Sequence, residues 1–230
     1  MDWKNIIYET IKKRQCPLII SDCEEIIPSE SLWMEIRGWI KTFREFGLGK
    51  GDRITLEMDK LPSYLGAFLA GLWEELQIII EDESGDQDLT GEKRPLIYSD
   101  LILKNDTIVE NDDWTGLDEN LSEENVEARI IFLKSQSFLP YSDDDLFRTL
   151  NSYQVKNKFL GKKVLSLSSW FREKGIIQEL LPGIFLSELV VQGKKEWKIS
   201  KTLEVRKKYS ISLIKGGRDY YQEDRQLVLF

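Results

Sequence analysis

Four polar residues follow an apolar run near the middle of the chain, and they are the first place where phosphate chemistry is conceivable. The run 130–133 ends at Lys134, and Ser135, Gln136 and Ser137 come next. In α/β proteins the loop after such a strand often holds phosphate through backbone N–H groups and a lysine. Those loops are rich in glycine, which this one lacks. The four residues are therefore weak candidates for a degenerate phosphate loop, and an ordinary short connection is the favoured interpretation.

Three other segments carry suggestive residue types. GLGKGD (47–52) has three glycines and Lys50, but it follows a helix and lacks phosphate-loop spacing, so a C-cap and turn explains it. SDDD (142–145) suggests a carboxylate metal site, yet adjacent side chains on one helical turn fan apart. We predict a helix start there, with Ser142 as N-cap and the aspartates in the first turn. KGGRDYYQED (215–224) predicts an exposed hairpin tip, with a partner contact as the alternative.

The sequence contains no histidine. This removes the commonest general base and the commonest metal ligand, and it excludes a Ser-His-Asp or Cys-His hydrolase. Cys16 and Cys23 are the only cysteines, so we expect them to be reduced and structural and a zinc site to be absent. Carboxylate-only metal sites and Lys or Tyr acid–base chemistry stay open. We predict no catalytic residue, no metal and no cofactor.

Charge is unevenly distributed along the chain. The net charge is −8, residues 81–127 hold 16 acidic against 3 basic residues, and residues 192–218 hold 9 basic against 2 acidic residues. Overall acidity argues against a nucleic-acid partner. For the basic stretch we favour a solvated face or one docked on the protein's own acidic region, with a partner-binding patch as the alternative. No apolar run is long enough for a membrane helix and no signal peptide is seen, so we predict a cytoplasmic protein.

The first third of the chain alternates strands and helices. Residues 17–22 read as a buried strand, and a helix with Ser29 as N-cap and Gly47 as C′ residue carries a broad apolar stripe. Residues 52–59 and 76–82 read as parallel strands joined by a helix that opens at Pro62. This is a βαβ unit.

The alternation resumes after the acidic middle, within which strands at "RPLIYSDLIL" and "DTIVEND" are predicted to form a hairpin. We predict strands at 128–134, 162–169 and 184–192. A helix begins at 142, and a short second helix ends at Pro182 and Gly183. The last 40 residues indicate short β segments with a turn at the two glycines 216 and 217.

These elements predict an α/β fold with a parallel or mixed sheet and flanking helices. We divide the chain into an α/β domain (1–192), with an acidic loop-rich insert at about 81–127, and a basic, β-rich C-terminal segment (193–230) packed on it.

The segment 31–82 resembles the N-terminal part of adenylate-forming enzymes, the superfamily of acyl-CoA synthetases, luciferases and fatty acyl-AMP ligases. There a helix ends in a "GL-x-x-GD-R-V" phrase, and a strand, a "P-x-x-x-x-A-x-L-A" helix and a buried strand follow. The matching residues are Gly47, Leu48, Gly51, Asp52, Arg53, Pro62, Ala67, Leu69 and Ala70. The resemblance implies a partial ligase-like N-terminal domain, and the matching phrase carries no chemistry in that family.

The resemblance continues more faintly through 128–191, where it implies that the functional motifs of the family are missing. The family has a Ser/Thr/Gly-rich phosphate loop ending in Pro-Lys after the strand that corresponds to 128–135, and here only Pro140 resembles it. The turn that often holds histidine in the family holds Trp170 or Phe171, which would line or plug any surviving acyl pocket. The downstream adenine motif, the ribose-binding Asp and the lid with its catalytic Lys find no match.

We therefore expect a non-catalytic relative of acyl-activating ligases that binds or scaffolds a protein partner, such as an acyl-activation or acyl-carrier enzyme. One alternative is a subunit of a split adenylating ligase that another chain completes. A second is an acyl or nucleotide sensor without turnover. A relic without function is the fourth interpretation.

Overall fold

A computed structural model describes residues 2–13, 18–21, 25–58, 61–81, 101–104, 107–110, 127–134, 137–156, 158–194 and 197–216. Both cysteines, the greater part of the acidic insert and all but two residues of the predicted tip at 215–224 lie outside these ranges. In the ranges described, no helix is both long and apolar enough to cross a membrane.

Eleven strands are described. They are β1 (Leu18–Ser21), β2 (Glu25–Ile27), β3 (Arg53–Glu57), β4 (Gln77–Glu81), β5 (Leu101–Lys104), β6 (Thr107–Glu110), β7 (Ala128–Lys134), β8 (Ser137–Ser142), β9 (Lys163–Ser166), β10 (Leu189–Gln192) and β11 (Leu213–Lys215). The described helices are α1 (Trp3–Ile7), α2 (Ser29–Glu45), α3 (Leu61–Trp73), α4 (Asp143–Val155), α5 (Glu173–Gly175), α6 (Leu181–Leu186) and α7 (Ile199–Tyr209). A π-helical turn follows α1 (Tyr8–Lys13), and another joins α5 to α6 (Ile176–Leu180).

The chain forms two compact units, and neither is continuous in sequence. Unit 1 comprises residues 1–16 and 28–149, and unit 2 comprises residues 17–27 and 150–230. The boundary within α4 differs from the predicted division at 192/193. Residues 197–216 join unit 2 because β11 pairs in parallel with β9.

Unit 1 is built on a six-stranded mixed sheet of order β6-β5-β3-β4-β7-β8. The four central strands are parallel, and β6 and β8 are antiparallel at the edges. Strands β3 and β4 with α3 form the predicted βαβ unit, and β5 with β6 forms the predicted hairpin. The predicted α/β class with a mixed sheet and flanking helices is confirmed.

Helix α3 is apolar on nearly all sides because it is covered on two sides. A Cβ on Gly66 would lie 2.7 Å from Glu35 Cβ, so α2 approaches closely there. A Cβ on Gly71 would lie 3.0 Å from Ile78, so α3 is equally close to strand β4. Small residues at these two points let one helix fit between α2 and the sheet.

Helix α2 begins one residue earlier than predicted. Its N-cap is Pro28, which has an extended backbone and makes no side-chain cap bond, and Ser29 is the first helical residue. The predicted end is confirmed, because Gly47 has φ +74° and its N–H donates to the Arg44 carbonyl.

Unit 2 contains a five-stranded sheet of order β11-β9-β10-β1-β2, in which only β2 is antiparallel. One face packs on α7 through a buried apolar cluster. Its members are Ile20, Leu165, Leu167, Leu189, Val191, Val205 and Ile211. The opposite face packs on α6, where a Cβ on Gly183 would lie only 2.5 Å from Val190.

Two predicted strand assignments in unit 2 are wrong. Helix α6 continues through Pro182 and Gly183 to Leu186, so strand β10 begins only at Leu189. Pro182 lies in the first turn of α6, directly after the π-helical turn that ends at Leu180.

The second wrong assignment concerns residues 199–209, which form helix α7 where β segments were predicted. Buried Thr202 and Val205 are three residues apart, which is helical spacing. Five charged side chains among these 11 residues obscured that period.

Candidate binding site at the carboxyl end of strand β9

The connections that leave β9 and β10 lie on opposite faces of the unit 2 sheet. The segment α5–α6 follows β9 on the Val190 face, and α7 follows β10 on the Val191 face. The connection from β9 leads to the adjacent strand β10. The connection from β10 runs in the opposite direction, past β9, to β11. In open α/β sheets the carboxyl ends of such diverging strands are the usual place for ligands. This end of β9 is therefore the candidate site.

A buried carboxylate lies at this end of β9. Glu179, on the π-helical turn, is 2% exposed. Its Oε2 accepts from the Ser166 hydroxyl at 2.5 Å, and its Oε1 accepts from the Ser168 hydroxyl at 2.6 Å. Trp170 Nε1 donates to Ser166 Oγ at 2.8 Å. The carboxylate thus ties the helical segment to the end of the strand, and each of its oxygens has a hydroxyl donor.

Lys215 lies beside this cluster on the same face of the sheet. Lys215 of β11 pairs with Ser166 of β9. Its neighbour Ile214 packs on the α7 face, and successive residues of a strand lie on opposite faces of the sheet. Gly216 has φ +97°, and a Cβ there would lie 2.6 Å from the Ser168 backbone N, so glycine allows this close approach. Burial lowers the pKa of Lys215, and the charge of Lys158 lowers it further.

Each Glu179 oxygen accepts from a serine hydroxyl, and Ser166 Oγ also accepts from Trp170, so these side chains hold one another in place. The chain contains no histidine. The arrangement has fixed hydroxyls, a fixed carboxylate and a half-buried ammonium group. Such groups can bind and orient a ligand.

The predicted phosphate-loop residues lie in unit 1, at the carboxyl end of β7. Lys134 ends this strand and pairs with Ser137, the first residue of β8. Ser135 and Gln136, and the side chains of Lys134 and Ser137, lie outside the described residues. The predicted connection between the strand at 128–134 and the next helix was too long. Residues Ser137–Ser142 form strand β8, and only two residues join β8 to β7.

The acidic run at 142–145 starts helix α4, as predicted. Asp145 N donates to Ser142 Oγ at 3.2 Å, and Ser142 N donates to Asp145 Oδ2 at 3.1 Å, which is a reciprocal capping arrangement. Asp143 pairs with Arg129, and Asp144 is exposed. Among the described residues, no group of three or more potential metal ligands comes together.

The GLGKGD segment is the predicted cap and turn. Leu48 N donates to the Phe43 carbonyl at 2.9 Å, and Gly49 N donates to Asp52 Oδ2 at 2.7 Å. Lys50 forms an ion pair with Glu75 at 3.0 Å. These contacts close the helix end and account for the glycines.

Of the two candidate pocket residues, Trp170 is in the polar cluster and fully buried, whereas Phe171 lies beside it and is half-buried. Their role as pocket lining stays a prediction.

Sequence analysis did not select Ser166, Glu179 or Lys215. Two sequence signals were available. Ser166 ends an apolar strand, and Glu179 is the only acid within the apolar run "IIQELL".

No protein-family model and no curated protein matches the chain. Solved structures do match its fold. The adenylation domain of a keto acid-selecting NRPS module, bound to keto acyl adenylate, matches with a TM-score of 0.64 and 13% identity over 91% of this chain and 46% of that one. Unliganded O-succinylbenzoate coenzyme A synthetase (MenE) from Bacillus subtilis matches with a TM-score of 0.65 and 10% identity over 94% of this chain and 50% of that one.

ATP-bound MatB from Rhodopseudomonas palustris matches with a TM-score of 0.61 and 12% identity over 94% of this chain and 49% of that one. The chain thus spans about half the length of these proteins. At such low identities the likeness establishes the fold alone. The fold of this chain resembles that of a partial adenylate-forming, AMP-binding domain.

Proposed function

We propose that the protein is a non-catalytic relative of AMP-binding acyl-activating ligases that acts by binding or scaffolding. The β7–β8 hairpin is the observation that carries this proposal. Because Lys134 pairs with Ser137, only Ser135 and Gln136 connect the two strands. In the family that the chain resembles, a Ser/Thr/Gly-rich phosphate loop follows the corresponding strand.

Adenylation requires a triphosphate to be held in place while negative charge develops at the α-phosphate. Backbone N–H groups of a glycine-rich loop normally provide that stabilisation. Two connecting residues without glycine supply too few N–H groups to surround a triphosphate. We therefore expect that the chain has lost the adenylation reaction and kept the fold.

Pyrophosphate release tests the proposal. The purified chain is incubated with ATP, Mg²⁺ and a panel of fatty, aryl and amino acids, with an active acyl-CoA synthetase assayed in parallel. We expect no acid-dependent pyrophosphate above the no-enzyme background. Acid-dependent release that co-purifies with the chain would overturn the proposal.

Helix α7 supplies a surface suited to a protein partner. Ile199 and Leu203 are 42% and 39% exposed and lie one turn apart on the same side of the helix. Arg206 and Lys207, three and four residues after Leu203, flank this apolar pair. An apolar pair with a basic rim complements an acidic surface with its own apolar centre. We therefore propose an acidic partner, such as an acyl-carrier domain.

Titration with an acidic acyl-carrier domain tests this surface. Leu203→Glu removes the apolar contact and adds a like charge opposite the acidic partner, so we expect binding to weaken at least about tenfold. Val155→Glu, at a position that is 82% exposed in the same unit, is the matched control and should bind as wild type does. Equal affinity of wild type and Leu203→Glu would exclude this surface.

A split ligase is the second candidate, because the chain covers about half of the ligases it matches. Mixing the chain with candidate partner chains should then restore acid-dependent pyrophosphate release. A ligand sensor without turnover is the third candidate, and the cluster at the carboxyl end of β9 would be its binding site.

A further inference from the structure

Lysines converge on one aromatic pair beside the Glu179 cluster. The rings of Tyr153 and Phe159 lie edge to face with centroids 5.1 Å apart. Lys215 Nζ lies 6.0 Å from the Tyr153 centroid and 5.6 Å from the Phe159 centroid. Lys158 Nζ lies 5.8 Å from the same Tyr153 ring. Two ammonium groups therefore share one ring, which brings like charges together in a half-buried place.

The positive charge of this group is not balanced within the described residues. Lys158, Lys162 and Lys174 all act on Lys215 in the sense that lowers its pKa, and Glu179 is the one carboxylate that opposes them. Both Glu179 oxygens already accept serine hydroxyls. Among the described residues, Lys158, Lys174 and Lys215 have no ion-pair partner, in contrast to the paired Lys201 of α7.

Repulsion among these lysines costs free energy unless an anion neutralises it. A carboxylate ligand would bring one charge, whereas a phosphomonoester brings about 1.5 to 2 negative charges at neutral pH and three acceptor oxygens. Separate ammonium groups can each donate to a different oxygen of a phosphate. A carboxylate has only two coplanar oxygens, and a single guanidinium can bind both of them. The charge and the donor type therefore favour phosphate.

The position of the cluster agrees with a binding role. Lys215 ends β11 and lies level with Ser166 at the end of β9, so the cluster is at the carboxyl edge of parallel strands. The diverging connections of β9 and β10 begin at this edge, which is the general location of ligands in open α/β sheets. The hydroxyl of Ser168, held by Glu179, fixes the loop next to Lys215.

We propose that Lys158 and Lys215, which meet at the Tyr153 ring, form a binding site for the phosphate group of a small phosphorylated molecule. This site is in unit 2 and is separate from the Lys134–Ser137 hairpin of unit 1. The inference names a ligand class for the proposed binding role and rests on that role.

Calorimetric titration of the full chain with inorganic phosphate and with AMP tests the site at constant ionic strength. We expect saturable phosphate binding, and Lys215→Gln and Lys158→Gln should each weaken it at least about tenfold through loss of one close charge. Lys156→Gln, at an exposed position two residues before Lys158, is the matched control and should bind as wild type does. Tighter binding of AMP than of phosphate identifies an organic phosphoester, and equal binding identifies free phosphate.

The unfolding midpoint of each variant checks the fold. Lys158 is exposed, so its variant keeps the test decisive if Lys215→Gln does not fold. No saturation of wild type below about 10 mM phosphate, or equal affinities of wild type and both variants, would overturn the site. Acetate binding as tight as phosphate would overturn the ligand class. Pyrophosphate release with phosphate binding intact would instead overturn only the proposed lack of catalysis.

Discussion

Arg129 is a buried cation in unit 1, and it forms an ion pair with the carboxylate of Asp143. Its side chain is 10% exposed, and its Nε and Nη2 donate to the two oxygens of Asp143, each at 2.9 Å. Its Nη1 donates to the Leu76 carbonyl at 3.1 Å. Trp3 Nε1 adds a bond of 2.7 Å to Asp143. One aspartate therefore joins the N-terminal helix, strand β7 and helix α4.

Replacement of Asp143 by asparagine should destabilise the protein. The amide leaves the Arg129 charge unpaired in a buried place, so we expect a loss of about 2 kcal/mol in the free energy of unfolding in urea. Asp144→Asn on the same first turn is the control, because it removes the same interaction with the helix dipole from an exposed residue. Equal unfolding midpoints for the two variants would show that the Arg129 pair adds nothing.

The same pair predicts how stability depends on pH. Burial by itself raises the pKa of Asp143, but hydrogen bonds from Arg129 and Trp3 and the Arg129 charge lower it below its ordinary 3.8. A depressed folded-state pKa stabilises the fold above the unfolded-state value, and this contribution is lost as pH falls through the folded-state pKa. Urea titrations below pH 4 should therefore show a smaller loss of stability for Asp143→Asn than for wild type. Parallel pH profiles would contradict this assignment.

At the scale of elements, the β7–β8 hairpin shows why periodicity alone was insufficient. Residues 137–142 contain Pro140 and no turn glycine precedes them, so the sequence predicts a connection that leads into helix α4. Pro140 pairs with Ile131 in β8, which is an edge strand where a missing N–H is tolerated. Edge position is a property of the sheet, and the local sequence does not report it.

Helix α6 provides a second test at this scale. Gly183→Ala would place a methyl group 2.5 Å from Val190 Cγ2 in a buried contact, so we expect a loss of about 1–3 kcal/mol in unfolding free energy. Gly38→Ala is the same chemical change in helix α2 with nothing within 4 Å, and it should raise stability by about 0.5–1 kcal/mol. Chemical denaturation measures both. A Gly183→Ala protein as stable as wild type would show that α6 and β10 are not in tight contact.

At the scale of the whole molecule, neither unit is a continuous piece of chain. Strand β1 comes from the N-terminal part of the sequence yet lies between β10 and β2 in the unit 2 sheet. Ile19 is fully buried there, and Ile20 belongs to the cluster under α7. Unit 2 therefore needs residues 17–27 to complete its core.

A fragment of residues 150–230 should not unfold cooperatively on its own, because it lacks β1 and β2 and exposes the edge of β10. A synthetic peptide of residues 17–27 added in trans should restore a cooperative transition in circular dichroism. A scrambled peptide of the same composition is the control. Cooperative unfolding of the fragment without peptide would show that β1 is dispensable.

The sequence by itself determined the βαβ unit of β3, α3 and β4, the end of α2 at Gly47 and the start of α4 at Ser142. These features depend on residues a few positions apart, so capping chemistry and hydrophobic period report them. Composition also excluded histidine chemistry. Only the tertiary structure brought Ser166, Glu179 and Lys215 together, because 49 positions separate the first from the last and the crossover from β10 to β11 makes them neighbours. The candidate site exists through this crossover, which no local pattern encodes.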